Sequence, residues 1–408
     1  MKLIGPFTQI LTLDNISEKG TVEDGQLQVL QQGGILLNDE GSIIQVGAFR
    51  DLAKNGSFPV EEIEGEQVLL PGFVDCHTHL CFMGNRARDY ALRVSGKTYL
   101  DIAKAGGGIW DTVQHTRHAD AQELLSESLL RVQAHLQRGV TTIEVKSGYG
   151  LQSNYELSLL RCIGHMQRQT MVDLIPTCLA AHTMPKDYSG SESEYLEEII
   201  KVLLPEVKKE HLSKRVDIFI EDTAFSPAQA RPFLQAAQDL GFNLSVHADQ
   251  FTPGGAALAV ELGAVSADHL EASTTSEIAL LGKSNTVAVA LPGASLGLGI
   301  PFAPARALLD AGACLAIASD WNPGSAPMGD LLTQACILGA YEKLSIAETL
   351  SALCFRAAKA LNLQDRGRLI PGMQGDLQAY PTGDYREIFY HQGQLKPNMV
   401  WKNGKTPM

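Results

Sequence analysis

The stretch VLLPGFVDCHTHL, residues 68–80, decides how the rest of the chain is read. It is an apolar, β-rich run that ends in His77-Thr78-His79. On an extended chain, residues two apart point the same way, so both imidazoles can reach one ion. A His-x-His pair alone is common by chance; its weight comes from the β-rich runs later in the chain.

There are seven of these, each closing on polar or small residues: VTTIEVK (140–146), VDLIPTCLAA (172–181), VDIFIE (216–221), NLSVHA (243–248), AVSADH (264–269), TVAVALP (286–292) and CLAIASD (314–320). With residues 68–77 they make eight. Helical patterns with start signals separate most of them: Ser153 with Glu156 and Thr274 with Glu277 fit capping boxes, and Ser226-Pro227 fits an N-cap and first turn. Ser345 with Glu348 opens a last helix, expected to run to about Leu361. Parallel strands need crossover helices, and eight such units close into a (β/α)8 TIM-like barrel. Both chain ends are instead short strands and turns, with a hairpin expected at Asn38-Asp39-Glu40-Gly41. The expected organisation is therefore an α/β barrel over 68–365 and a small composite β-sandwich domain from 1–67 and 366–408.

Barrel enzymes carry their chemistry at the C-terminal strand ends. Strand five ends in His247-Ala248-Asp249, strand six in Asp268-His269 and strand eight in Ser319-Asp320. Three histidines and an aspartate converging on one barrel mouth suit a hydrolytic metal centre, where the ion lowers the pKa of bound water and a carboxylate can bind the ion or accept a proton. His269 has a second reading, as a cap on backbone. Lys146 is either a ligand after carbamylation or, as favoured here, an ion-pair partner of Glu144. His115, His118, His135, His165, His211 and His391 fall on helices, linkers or the tail and read as structural or solvated. Cys76 and Cys81 read as packing residues. About 60 residues separate the first two strands, including Gly106-Gly107-Gly108, and are expected to contribute to a lid.

Composition narrows the function classes. Lys and Arg number 33 against 46 Asp and Glu, a net charge of −13, the wrong sign for a nucleic-acid or anionic-membrane binder. Seven scattered cysteines without a Cys-x-x-Cys pair fit reduced thiols in the cytoplasm. The N-terminal residues lack the pattern of a secretory leader. Residues 284–305 carry no charge, but Pro292, Pro301 and Pro304 would break a membrane helix; the stretch is expected to be a strand and then a loop.

With these residues placed, the chain resembles the amidohydrolase superfamily: β-rich ends, PGFVDCHTHL on strand one, histidines on strands five and six, an aspartate on strand eight. Within it, VDCHTHLCFMGNRARDY (74–90), YLDIAKAGGGI (99–109), EVKSGYGL (144–151), LAAHTMP (179–185), VHADQF (246–251), VSADHL (265–270), LPGASLGLG (291–299) and ASDWNPGSAP (318–327) are similar to the imidazolonepropionase family over nearly the whole chain. The resemblance implies hydrolysis of the cyclic amide of 4-imidazolone-5-propanoate to N-formimidoyl-L-glutamate, in histidine degradation, with one Zn2+ or Fe3+ per subunit. It implies His77, His79, His247 and Asp320 as metal ligands. It implies Arg86, Tyr149, His182, Gln250, Asn322, Gly324 and Ser325 as substrate or product contacts, and Asp320, His269 and Gln250 as the catalytic group, with Asp320 the general base and proton shuttle. Homodimers are common in the family. Position 250 departs from the family pattern, which has Glu there; a glutamine is no base, which puts proton transfer more firmly on Asp320. Asp249 faces the opposite way on an extended strand and cannot replace it. Two competing readings are a deaminase or another cyclic-amide hydrolase of the superfamily, and a non-catalytic metal or carboxylate binder. Predicted strand four ends at Glu221-Asp222 without a lysine, which favours one metal over two.

Overall fold

The structure, a computed structural model, describes residues 1–54, 56, 58–97, 101 and 106–406. Eight strands form the expected parallel barrel sheet, each hydrogen-bonded to the next: β6 (Phe73–Asp75), β7 (Val140–Lys146), β8 (Asp173–Ala181), β9 (Arg215–Phe219), β10 (Asn243–Ala248), β11 (Ser266–His269), β12 (Val287–Ala290) and β13 (Leu315–Ile317). These strands are buried along nearly their whole length, as sheets covered by helices must be. Between β13 and β6 the barrel closes just past the strand ends: the Asp320 N–H donates to His77 O at 3.0 Å and the His79 N–H to Trp321 O at 2.9 Å.

Five strands from the N-terminal segment, β1 (Lys2–Leu11), β2 (Val29–Leu37), β3 (Ile43–Ala48), β4 (Val60–Glu62) and β5 (Val68–Pro71), join β14 (Leu377–Tyr380) and β15 (Met399–Trp401) in a second sheet. This small β-sandwich domain has its own core, including Ile4, Phe7, Ile35, Leu69, Leu377 and Trp401. Lys402, buried, is tied to Asp376 at 2.6 Å and to Asp173 at the start of β8 at 2.7 Å, so an ionic contact joins the two sheets.

Several expectations change in detail. The run 68–77 is two strands, not one: Val68–Pro71 pairs with β1 and β14 in the terminal sheet, and only Phe73–Asp75 enters the barrel. The break is at Gly72, where a Cβ would lie 2.4 Å from Thr141 Oγ1 on β7, so only glycine lets the chain cross so close. Pro292–Leu298, expected as loop, is a short helix with proline in its first turn and left-handed Gly299 at its end. Ser153 does not cap its helix; Gln152 occupies that position, and Glu156 turns back to accept the N–H groups of Gly148, Gly150 and Leu151. The last expected helix breaks at Cys354 into Ile346–Leu353 and Phe355–Ala360. The capping box at Thr274, the N-cap at Ser226, the helix start at Ser345 and the hairpin at 38–41 form as expected.

The long connection after β6 holds helices Ala87–Val94, Ile109–His118 and Ala121–Leu136, the last being the crossover onto β7. Residues 99, 100 and 102–105 of the YLDIAKAGGGI run lie outside the described residues, and the expected lid falls partly on them. Among the described residues no helix is long and apolar enough to cross a membrane.

Candidate metal centre and its cavity

The four expected ligands meet at the barrel mouth, all buried. One ring nitrogen from each of His77, His79 and His247 lies within 4.8 Å of the others. His79 Nε2 is 3.4 Å from His247 Nε2 and 3.4 Å from Asp320 Oδ1, and His77 Nε2 is 3.6 Å from the same oxygen. A tetrahedral ion with bonds of about 2.1 Å needs donor atoms about 3.4 Å apart. The ring chemistry agrees. His77 Nε2 is buried with no hydrogen-bond partner, and burial above all holds the His77 and His79 rings well below the usual imidazole range. The His247 ring is pushed down to about 3 by burial, against the pull of Asp217. Neutral imidazoles are what an ion needs. These residues fit a divalent cation.

Behind the ligands lies a buried charge network that the sequence reading only touched. His77 Nδ1 is 2.6 Å from Asp268 Oδ2, and His247 Nδ1 is 3.1 Å from Asp217 Oδ2. Both carboxylates orient a ring so that its Nε2 lone pair faces inward. Lys146 sits between them, 2.8 Å from Asp217, 2.8 Å from Glu144 and 3.9 Å from Asp268. The favoured pairing of Lys146 with Glu144 therefore holds, and Lys146 serves two more carboxylates besides. Burial opposes the charge on Lys146, but the three carboxylates more than offset it and raise its pKa. Burial likewise opposes the Asp217 anion, which His247 and Lys146 nonetheless hold well below the usual carboxylate range.

Asp320 has one oxygen toward the histidines, while Oδ2 accepts from Asn322 Nδ2 at 2.9 Å and Ser325 Oγ at 3.4 Å. Burial pushes its carboxyl up to about 6. His269 reaches the same cavity through a left-handed backbone, φ +85°, with its Nδ1 3.5 Å from buried Glu271 Oε2. Burial works against its charged form, yet Glu271 outweighs this and the ring pKa is raised. The cavity, about 580 Å3, is also lined by Arg86, Tyr149, His182, Gln250, Asn322 and Ser325. His182 stacks on His79 with ring centroids 5.3 Å apart, and its Nδ1 donates to Gly148 O at 3.0 Å, leaving Nε2 as an acceptor. Asp249 is turned away, accepting from Ala256 N and Ser273 Oγ. His135 packs at 3.3 Å from Asp75 behind the site.

Arg86 pairs with Asp89 through Nε at 2.9 Å and also faces the cavity. Its guanidinium rests on Gly324, where a Cβ would come within 2.3 Å of Nη1. Gly107 packs against Asp89 in the same way, and the Gly108 N–H donates to Asp89 Oδ2 at 2.8 Å, so the glycine run docks on the carboxylate that holds Arg86. Sequence reasoning missed Asp217, Asp268 and Glu271 as partners of the histidines.

Comparison with known proteins agrees with this arrangement. The model of the amidohydrolase family matches residues 68–406. An imidazolonepropionase of Myxococcus xanthus is 41% identical over 406 residues, covering 97% of this chain and 96% of the relative. One of Bacillus cytotoxicus is 37% identical over 402 residues, with 97% and 94% covered. Among solved structures, a mutant atrazine chlorohydrolase of Arthrobacter aurescens, complexed with zinc and atraton, superposes with a TM-score of 0.77 at 16% identity, covering 100% of this chain and 95% of the other. A zinc-bound adenosine deaminase of Xanthomonas campestris gives 0.72 at 20%, with 99% and 92% covered. At those identities the structures speak for the fold alone.

Proposed function

The chain belongs to the amidohydrolase family and, within it, to the imidazolonepropionases, and from that premise we propose how its residues carry the reaction. It is a hydrolase of cyclic amides, opening 4-imidazolone-5-propanoate to N-formimidoyl-L-glutamate. The observation that carries this reading is one cavity lined by His79, His247 and Asp320, with His77 clustered beside them, and by Arg86. The substrate needs both ends: an activated centre for its ring carbonyl and a cation for its carboxylate arm.

His77, His79, His247 and Asp320 would hold the ion, zinc or iron, which when bound would supply Lewis acidity to the ring carbonyl and to the attacking water. Asp320 takes the proton from that water as its oxygen bonds to the carbonyl carbon. A carboxylate that reaches both the ion's position and the attacking water can accept that proton and return it. The ring C–N bond breaks, and the proton goes to the departing nitrogen. His269, held by Glu271, donates toward the former carbonyl oxygen as charge builds there. His182 accepts from a ring N–H, Tyr149 and Ser325 offer hydroxyls, and Gln250 hydrogen-bonds the ring without serving as a base. Asn322 fixes the Asp320 oxygen that does not face the histidines. A cytoplasmic location and a homodimer complete the proposal.

The test is loss of imidazolonepropanoate absorbance with purified protein, before and after a strong chelator. Turnover that stops on chelation and returns with zinc or iron is expected. Deamination of a purine or pyrimidine with no action on imidazolonepropanoate would overturn the assignment.

A further inference from the structure

The charges on the cavity wall do not balance where a carboxylate arm would lie. Arg86 is already neutralised: Asp89, buried, takes its Nε hydrogen bond at 2.9 Å and is anchored in turn by the Gly108 N–H. A substrate carboxylate meeting Arg86 alone would also meet Asp89. Seven residues on, two turns along helix Ala87–Val94 and hence on the same face, stands Arg93, which lines the same cavity. Arg93 Nη1 donates to a neutral group, Gly297 O, at 2.7 Å. Among the described residues no carboxylate makes an ion pair with it within 4 Å, whereas Arg86 has Asp89. Burial and then repulsion from Arg86 lower its pKa, and they outweigh the more distant pull of Asp89. The other acidic groups nearby are engaged or exposed: Glu221 accepts from the Phe251 and Thr252 N–H groups, and Asp222 is at the surface. Two guanidiniums and one carboxylate, with the exposed Lys97 ammonium also on the cavity lining, leave this wall positive.

The glycines show where that charge is aimed. Arg86 rests on Gly324. Gly297, whose carbonyl holds Arg93, lies so close to Ser325 that a Cβ on it would meet the Ser325 carbonyl oxygen at 1.6 Å. Both arginines are thus tied to the Asn322–Ser325 loop, Arg86 directly at Gly324 and Arg93 through Gly297.

We propose that Arg93 is a second carboxylate-binding residue of this cavity, clamping the propanoate arm together with Arg86 and supplying the positive charge that Asp89 removes from Arg86. This rests on the reading of the site as an imidazolonepropionase. It makes Arg93 a determinant of specificity for an anionic arm over a neutral one.

The experiment compares the parent protein, Arg93→Gln and Arg93→Lys on imidazolonepropanoate and on its methyl ester, whose arm is neutral. A charge-assisted hydrogen bond of ordinary strength predicts that Arg93→Gln raises KM for the acid about 10- to 100-fold. kcat falls far less, the lysine variant recovers part of the loss, and the loss is confined to the acid. Zinc content and melting temperature match those of the parent. A KM for the acid within about twofold of the parent, or an equal rise for acid and ester, overturns the role of Arg93 while leaving the enzyme assignment standing. No turnover of either compound by the parent protein overturns both.

Discussion

Asp217→Asn replaces a carboxylate by an amide of nearly the same shape, and the geometry makes the change costly. Asp217 Oδ1 accepts the His247 backbone N–H at 3.2 Å. Its Oδ2 faces Lys146 Nζ at 2.8 Å, Ser245 Oγ at 3.2 Å and His247 Nδ1 at 3.1 Å. Both oxygens accept, so an amide must place its NH2 against donors whichever way it is turned. Turned toward the backbone, it confronts the His247 N–H. Turned toward the ring, it faces the Lys146 ammonium and favours the tautomer with the proton on Nε2, the atom that must present its lone pair to an ion. An unsatisfied buried polar group costs about 1–3 kcal/mol, and losing an outer partner of a ligating histidine weakens metal binding about 10- to 100-fold. The two scales agree, since about 1.4 kcal/mol is a factor of ten. Zinc affinity measured by competition with a chromophoric chelator at pH 7 should fall by that factor, with a thermal melt confirming that the variant is folded. A folded variant that binds zinc within about threefold of the parent would refute the claim that Asp217 sets the His247 tautomer.

The same geometry sets three further outcomes. His247→Ala should lose bound metal and turnover while its circular dichroism stays close to the parent's; full activity in that variant would remove His247 from the site. Glu271→Gln strips His269 of the carboxylate 3.5 Å from its Nδ1, so kcat should drop about tenfold or more with little change in zinc content; an unchanged kcat would show that His269 needs no such partner. His182 is buried and its pKa is pushed down to about 4, chiefly by burial. Since the folded value lies below the unfolded one, its contribution is present above about pH 6.5 and is lost as the pH falls toward 4, by up to about 3 kcal/mol. In denaturant titrations, the stability of the parent relative to His182→Gln should decline over that window, and a constant difference would contradict a neutral buried ring.

The strand-end rule made most of the metal centre legible, because His77, His79 and His247 sit where an extended strand delivers its side chains to the barrel mouth. The carboxylates behind them are legible in principle, though less directly. In the parallel register Ser245 pairs with Asp217 and His247 with Asp268, and a two-residue period puts Glu144 with Lys146 on one face of β7. A charged residue inside an otherwise apolar barrel strand has to face other charges, so VTTIEVK, VDIFIE and VSADH carry the signal. His269 is the reverse case. By simple alternation it faces away from Asp268, and it reaches the cavity only because its backbone is left-handed. No periodicity predicts such a turn. Arg93 is hidden for another reason: its spacing from Arg86 is an ordinary helical repeat, and its meaning depends on Asp89 being hydrogen-bonded to Arg86 and not to Arg93.

The barrel closure explains why ligands and fold are difficult to separate. The seam between β13 and β6 is made by the backbone of the ligand segments themselves, with His77 and His79 bonded to Asp320 and Trp321. Asp320 holds φ +50°, Asp249 φ +54° and His269 φ +85°, each at or just beyond a strand end. Such conformations cost about 1–3 kcal/mol apiece and persist only where the surroundings hold them. Here the holding groups are identifiable: the seam and Asn322 for Asp320, Ser273 and the Ala256 N–H for Asp249, Glu271 for His269. A cation held by His77, His79 and Asp320 would bridge that seam from inside the barrel, and its binding to the folded state alone would stabilise the closed barrel.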